Sequence, residues 1–181
     1  AADSLGVTIR MPTKQNISAW QPALNFLGER KLAAIGLQKK GRKWIPTGMA
    51  QEAMMLAQIK QFAQQHFRDY VTKKKQLSAL IGQNNPANQT QIDKLENQLN
   101  SQANFASYKN AKKTFDKMTK TYLEHLNTLQ SQRETLKTDK QAIETFLGGE
   151  KKYQAVIKQF PEDEEMEKKR TFITNLQTLV N

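Results

Sequence analysis

From Tyr108 to Leu147 the chain reads YKNAKKTFDKMTKTYLEHLNTLQSQRETLKTDKQAIETFL, and Tyr108, Phe115, Tyr122, Leu129, Leu136 and Ile143 recur in it every seventh residue. Ala111, Met118, Leu126 and Leu147 fill the intervening register. This is a heptad seam, the pattern of a long helix laid against a neighbour. The register fails at Gln132 and Asp139, so the distal seam is thin and predicts a partner helix on one side only. Gly148-Gly149 is expected to end the helix. Upstream, Ile92, Leu95 and Leu99 run in a different phase, and the polar stretch Asn100 to Asn104 predicts a kink or short break.

Working back, Met49, Ala53, Leu56, Ile59, Ala63, Phe67, Tyr70, Leu77 and Ile81 fall at helical spacing. They predict a helix from about Gly48 to Gly82, roughly 50 Å long at the usual rise. The run Gln83-Asn84-Asn85-Pro86-Ala87-Asn88 is a loop by composition. A connection that short makes the flanking helices antiparallel. Working forward, Tyr153, Val156, Ile157 and Phe160 predict a short helix, and Pro161 opens a last one with Met166, Ile173, Leu176 and Val180 inward. The expected fold is all-α: a long antiparallel helical hairpin whose short terminal helices form a bundle at one end, with a small β-hairpin near the N-terminus. The expected division is a basic segment over residues 1–47 and a helical hairpin and bundle over 48–181.

Before the hairpin, Val7, Ile9 and Met11 alternate up to Pro12 and read as a brief extended arm. A helix is expected from Pro22 to Ile35, with Gly36 as its stop. Leu37 to Thr47 then reads Leu-Gln-Lys-Lys-Gly-Arg-Lys-Trp-Ile-Pro-Thr, a small basic hairpin turning at Lys40-Gly41. The net charge is +11, and residues 1–75 hold 13 Lys or Arg against 4 Asp or Glu. That imbalance favours a polyanionic partner. Lys39, Lys40, Arg42 and Lys43 crowd around Gly41 with Trp44 directly after them, so these five residues are the candidate polyanion-binding set. Cationic tips straddle a phosphate backbone and gain counterion-release free energy, while a tryptophan anchors the element or stacks on a base. An acidic membrane surface would suit the same residues, with Trp44 at headgroup level. The plain alternative is that Trp44 packs inward and the lysines are solvated.

The stretch Arg30-Lys31-Leu32-Ala33-Ala34-Ile35-Gly36-Leu37-Gln38-Lys39-Lys40-Gly41-Arg42-Lys43-Trp44-Ile45-Pro46-Thr47 resembles the helix-then-wing segment of phage antirepressor-type proteins. There a helix ends in a Gly-Leu-Gln-like turn and a hairpin closes on Trp-hydrophobic-Pro-Thr. The resemblance covers 18 residues of 181. It implies a winged helix-turn-helix element with its wing at Lys39 to Lys43. Between Met11 and Gly28 the chain has room for barely one further helix of such a unit.

Other chemistry has little support. The chain has no cysteine, which excludes disulfides, thiol catalysis and cysteine-ligated zinc. His66 and His125 lie on different helices, without partners at metal spacing, and read as partly buried, hydrogen-bonded side chains. Glu162-Asp163-Glu164-Glu165 lacks the glycine and alternating ligands of a calcium loop. It reads as the acidic start of a helix, with Lys168, Lys169 and Arg170 as partners one turn on. Asn16-Ile17-Ser18 and Asn88-Gln89-Thr90 match a glycosylation pattern that chance explains in a chain rich in Asn and Thr. No glycine-rich phosphate loop or nucleophile elbow is present, so no enzyme, metal or cofactor is expected. No run of apolar residues is long enough to span a bilayer, which is the pattern of a soluble chain. Ala1-Ala2-Asp3-Ser4 reads as a mature terminus after signal cleavage or a cloning remnant, and the compartment stays open. The leading expectation is a non-catalytic binding protein whose basic N-terminal part contacts nucleic acid while the helical hairpin spaces it or forms a homodimer. The alternative is a helical module that engages a partner protein or anionic lipid, such as a domain of a secreted bacterial effector or a scaffold.

Overall fold

The computed structural model describes residues 17–181, so the extended arm expected at Val7 to Met11 lies outside the described residues. The described residues are all-α apart from one small antiparallel hairpin. Its elements are α1 (Ile17–Ala34), β1 (Leu37–Lys40), β2 (Lys43–Pro46), α2 (Gly48–Gly82), α3 (Gln89–Asn104), α4 (Ala106–Thr138), α5 (Lys140–Leu147), α6 (Glu150–Ile157) and α7 (Asp163–Val180). They gather into two compact units. Residues 17–46 and Glu134–Lys158 make the first, and Thr47–Arg133 with Gln159–Asn181 make the second. The division expected from sequence falls after residue 47, and the N-terminal piece of the first unit ends at Pro46. Residues Glu134–Lys158, however, cluster with the N-terminal segment.

The second unit is held by three helices. Ile59, Ala63 and Phe67 of α2, Ala111, Phe115, Tyr122 and Leu126 of α4, and Ile173 and Val180 of α7 form one buried cluster. Contacts run back through α4 and into α3 as they ascend along α2. Gly48 O lies 2.8 Å from His125 Nε2, Phe67 stacks edge-on to Phe115 at 5.4 Å, and Asp69 accepts from Gln102 at 2.5 Å. That is the antiparallel hairpin, closed by the exposed loop at Gln83–Ala87, where Asn84 takes a positive φ of 54°. The break expected near residue 104 falls at Phe105, which is extended between α3 and α4. Over this length, upstream of the thin distal part, the seam has a second partner. α7 also lies along α4, from Gln130 beside Asp163, through Thr119 beside Gln177, to Tyr108 donating to Val180 O.

The inward stripe of α2 differs from expectation at both ends. Ala53 and Ile81 are exposed, while Glu52 is 3% exposed. Its carboxylate accepts from Tyr122 Oη and from Lys169 Nζ, both at 2.7 Å, so one anion ties α2, α4 and α7 together. Lys169 is thus committed across the core instead of to its own helix, unlike Lys168, which pairs with Glu164 at 3.9 Å. A buried carboxylate is tolerated only with partners of this kind, because desolvation otherwise costs several kcal/mol. His125 is half-buried as expected, but His66 is exposed and leans on Phe62 at 4.3 Å between ring centroids.

The first unit joins segments distant in sequence. α1 begins at Ile17, five residues before the expected start, which places Pro22 in its second turn. Gly36 ends it with a φ of 84°. Leu32, Leu37, Leu136, Ile143, Leu147, Tyr153 and Val156 are all buried. α1 packs on α5, and α6 packs on α5 and on β2. Gly28 allows the first contact: a Cβ there would stand 2.8 Å from Phe146 Cδ1. The helix expected to continue to Gly148 is interrupted at Asp139, whose carboxylate pairs with Lys31 at 3.5 Å. The carbonyl of Leu136, which Lys140 N–H would bond in an unbroken helix, accepts from Tyr153 Oη at 3.0 Å.

Lys169→Met should lower unfolding free energy in urea by about 3 kcal/mol, since it strands the Glu52 carboxylate. Adding Glu52→Gln should recover most of that loss, and purely additive costs would contradict a coupled pair. Burial first, then the Glu52 bond, raises the Tyr122 pKa far above normal; burial first, then Tyr70, does the same for Tyr108. Because the folded state holds these protons, the stability they contribute is complete below the ordinary tyrosine value of about 10 and declines as pH climbs above it. Phenolate absorbance should therefore show Tyr122 and Tyr108 ionising only together with loss of helical circular dichroism.

Candidate nucleic-acid interface

The wing is a minimal hairpin. Leu37 faces Pro46, Gln38 faces Ile45, Lys39 faces Trp44 and Lys40 faces Lys43. The two turn residues are Gly41 and Arg42, and Gly41 has a φ of 62°. Glycine at the first central position is the requirement of a type II′ turn, whose twist suits two antiparallel strands. The sequence places the turn one residue early, at Lys40-Gly41.

Because cross-strand partners share a face and side chains alternate along each strand, the five candidate residues divide into two groups. Leu37, Lys39, Trp44 and Pro46 share one face, and the burial of Leu37 and Pro46 marks it as the inward one. Lys39 there pairs with Glu29 of α1 at 3.7 Å, and Trp44 is half-buried. Lys40 and Lys43 stand opposite each other on the outward face with Gln38 and Ile45, and Arg42 is exposed at the turn. Like charges placed directly across a ladder repel. The outward face therefore has an unmet demand for an anion. The structure brings Lys40, Arg42 and Lys43 together and separates Lys39 and Trp44 from them.

Ion pairing in the first unit sharpens this contrast. Over residues 17–46 and 134–158 there are 11 Lys or Arg against 5 Asp or Glu, a net +6. Glu29 is taken by Lys39, Asp139 by Lys31, Glu134 by Lys137 at 3.5 Å and Glu150 by Lys140 at 3.4 Å. The fifth carboxyl, Glu144, is raised by desolvation first and then by its hydrogen bond to Glu150. Glu150 is held below the usual carboxylate range, chiefly by the Gln154 amide at 2.9 Å. Every acid is engaged. Among the described residues, Lys40, Arg42 and Lys43 are left without a carboxylate in reach, and so are Lys151, Lys152 and Lys158 near α6.

Those last three cations were not singled out from sequence. The spacing of Tyr153, Val156 and Phe160 already turns Lys151 and Lys158 outward, but nothing in the sequence alone connects α6 with a hairpin a hundred residues earlier. In the second unit a cleft is lined by Gln65, His66, Asp69, Tyr70, Gln102 and Phe105. Asp69 is lowered there by Gln102 first and Lys73 second, and Gln102 Oε1 is buried without a partner.

Gly41→Ala should strain the turn by about 1–2 kcal/mol through its positive φ. Amide hydrogen exchange should quicken in β1 and β2 and stay unchanged in α2 and α4. Unchanged protection of both strands would refute the turn assignment.

Compared with known proteins, the chain matches no family model, no curated protein and no solved structure.

Proposed function

We propose that this is a non-catalytic nucleic-acid-binding protein whose outward wing face, Lys40, Arg42 and Lys43, contacts backbone phosphates. One observation carries the reading: the carboxylates of the first unit are all engaged, and Lys40, Arg42 and Lys43 of the wing are left without one. A cation with no local counter-charge binds phosphate without first breaking an ion pair, and each contact releases condensed counterions. The resemblance of residues 30–47 to a helix-then-wing segment supports the same reading. Trp44 on the inward face anchors the wing, so it is not assigned to base stacking.

The competing reading, a helical module for a protein partner, draws less support. α7 fills the apolar side of α2 and α4 with Ile173 and Val180, where an open groove would be needed. The exposed large apolar residues of the second unit are scattered: Met54 and Ile81 at opposite ends of α2, Phe105 at the break between α3 and α4, and Phe172 on α7.

Changing Lys40, Arg42 and Lys43 together to Ala should weaken nucleic-acid binding in fluorescence anisotropy and leave the helical circular dichroism intact. The slope of log affinity against log salt should flatten by roughly 0.7 to 0.9 per contact removed. Lys39→Ala alone should have a smaller effect, because Lys39 is already paired with Glu29. If the triple variant binds as the parent does, the wing is a solvated surface. If it loses only pelleting with anionic liposomes, the polyanion is a membrane.

A further inference from the structure

The cations left over near α6 suggest how the nucleic acid is gripped. α6 buries Tyr153 and Val156, and the opposite side carries Lys151, Ala155 and, at the C-cap in helical conformation, Lys158. These positions are spaced i, i+4 and i+7, so they form one outward line along the helix. All three are exposed, and neither lysine has a carboxylate within ion-pairing distance. Lys152 differs: its ammonium folds back to Gly148. α6 follows α5 across the two-residue connection Gly148-Gly149, where both glycines have positive φ, and it packs against strand β2 of the wing. The distant segment thus places beside the wing a short helix with a cationic, otherwise uncharged outward edge.

We infer that α6 is a groove-entering helix that contacts duplex DNA together with the wing, through Lys151 and Lys158 with Ala155 between them. This rests on the proposed nucleic-acid function and goes further in naming the form of nucleic acid and a second contacting element. Size and chemistry both favour a duplex. A helix with its side chains is about 10–12 Å across, and the B-form major groove is about 12 Å wide, so α6 fits within it. Small residues flanked by lysines let a helix approach base edges while its cations reach phosphates on either side. A single strand would call for exposed aromatic platforms. The outward line of α6 and the outward face of the wing have none: Tyr153 is buried, and Trp44 faces inward. α1 is a poorer groove helix, because it exposes Leu27 and Glu29 and commits Lys31 to Asp139.

The test uses the full chain, a short mixed-sequence DNA duplex and one of its strands alone. Lys151→Ala with Lys158→Ala should weaken duplex binding and flatten the salt slope by about 1.8, two contacts at about 0.9 each. Ala155→Glu should weaken it without removing any cation, since a carboxylate would then face the bases and phosphates. Circular dichroism should be unchanged in each, because all three positions are exposed. If the wing triple variant loses duplex binding while both α6 variants keep it, this inference falls and the nucleic-acid reading stands. If neither set loses binding, both fall. If the α6 variants weaken single-strand binding as much as duplex binding, or lose only binding to phosphatidylserine vesicles, the groove assignment is overturned.

Discussion

The stripe that α4 presents from Phe115 to Leu136 must be covered, and the covering of it organises the chain. Phe115, Tyr122, Leu126, Leu129 and Leu136 are all completely buried. Fully burying one side chain of this size is worth about 1.5–3 kcal/mol, so leaving one side of the stripe open would cost much of a domain's net stability. In the second unit α2 and α7 both lie on it; in the first, Leu136 joins the core completed by α1, α5 and α6. Glu52 adds specificity. An apolar face alone tolerates slips of a turn, whereas a carboxylate that must reach both Tyr122 and Lys169 is satisfied in one register of three helices.

The heptad spacing made α4 legible, and the same logic marked the bounds of α2 and the loop after it, because Gly82, Asn84, Asn85 and Pro86 all disfavour a continuing helix. Periodicity went astray wherever a polar residue faces inward. Glu52 and Thr119 are buried because α7 supplies Lys169 and Gln177, and a reading of one helix at a time has no means of seeing a third helix's donors. The interruption at Asp139 was hidden for a similar reason: its support comes from Lys31 and Tyr153, both distant in sequence.

The candidate site was legible as a cluster and not as a surface. Composition around Gly41 identifies the cations, and strand alternation, once the register is known, divides them into an inward pair and an outward group. What separates a merely basic surface from an anion-binding one is which lysines have already found carboxylates. That depends on contacts such as Lys39 with Glu29 and Lys31 with Asp139, which join elements no local pattern connects.

The first unit is assembled from residues 17–46 and Glu134–Lys158, with the whole of Thr47–Arg133 between them. During synthesis the wing and α1 emerge before α5 and α6, which complete their core. Bringing the two pieces together means closing a very long loop, an entropic cost that non-local contacts must overcome and that slows folding. The antiparallel pairing of α2 with α4 shortens that search, because contacts such as Gly48 with His125 bring the two ends of the intervening segment close to each other. The helical hairpin therefore acts as a folding splint. The cationic surface exists only after the chain has doubled back, so a nascent or truncated N-terminal segment would carry the lysines without the architecture that aims them.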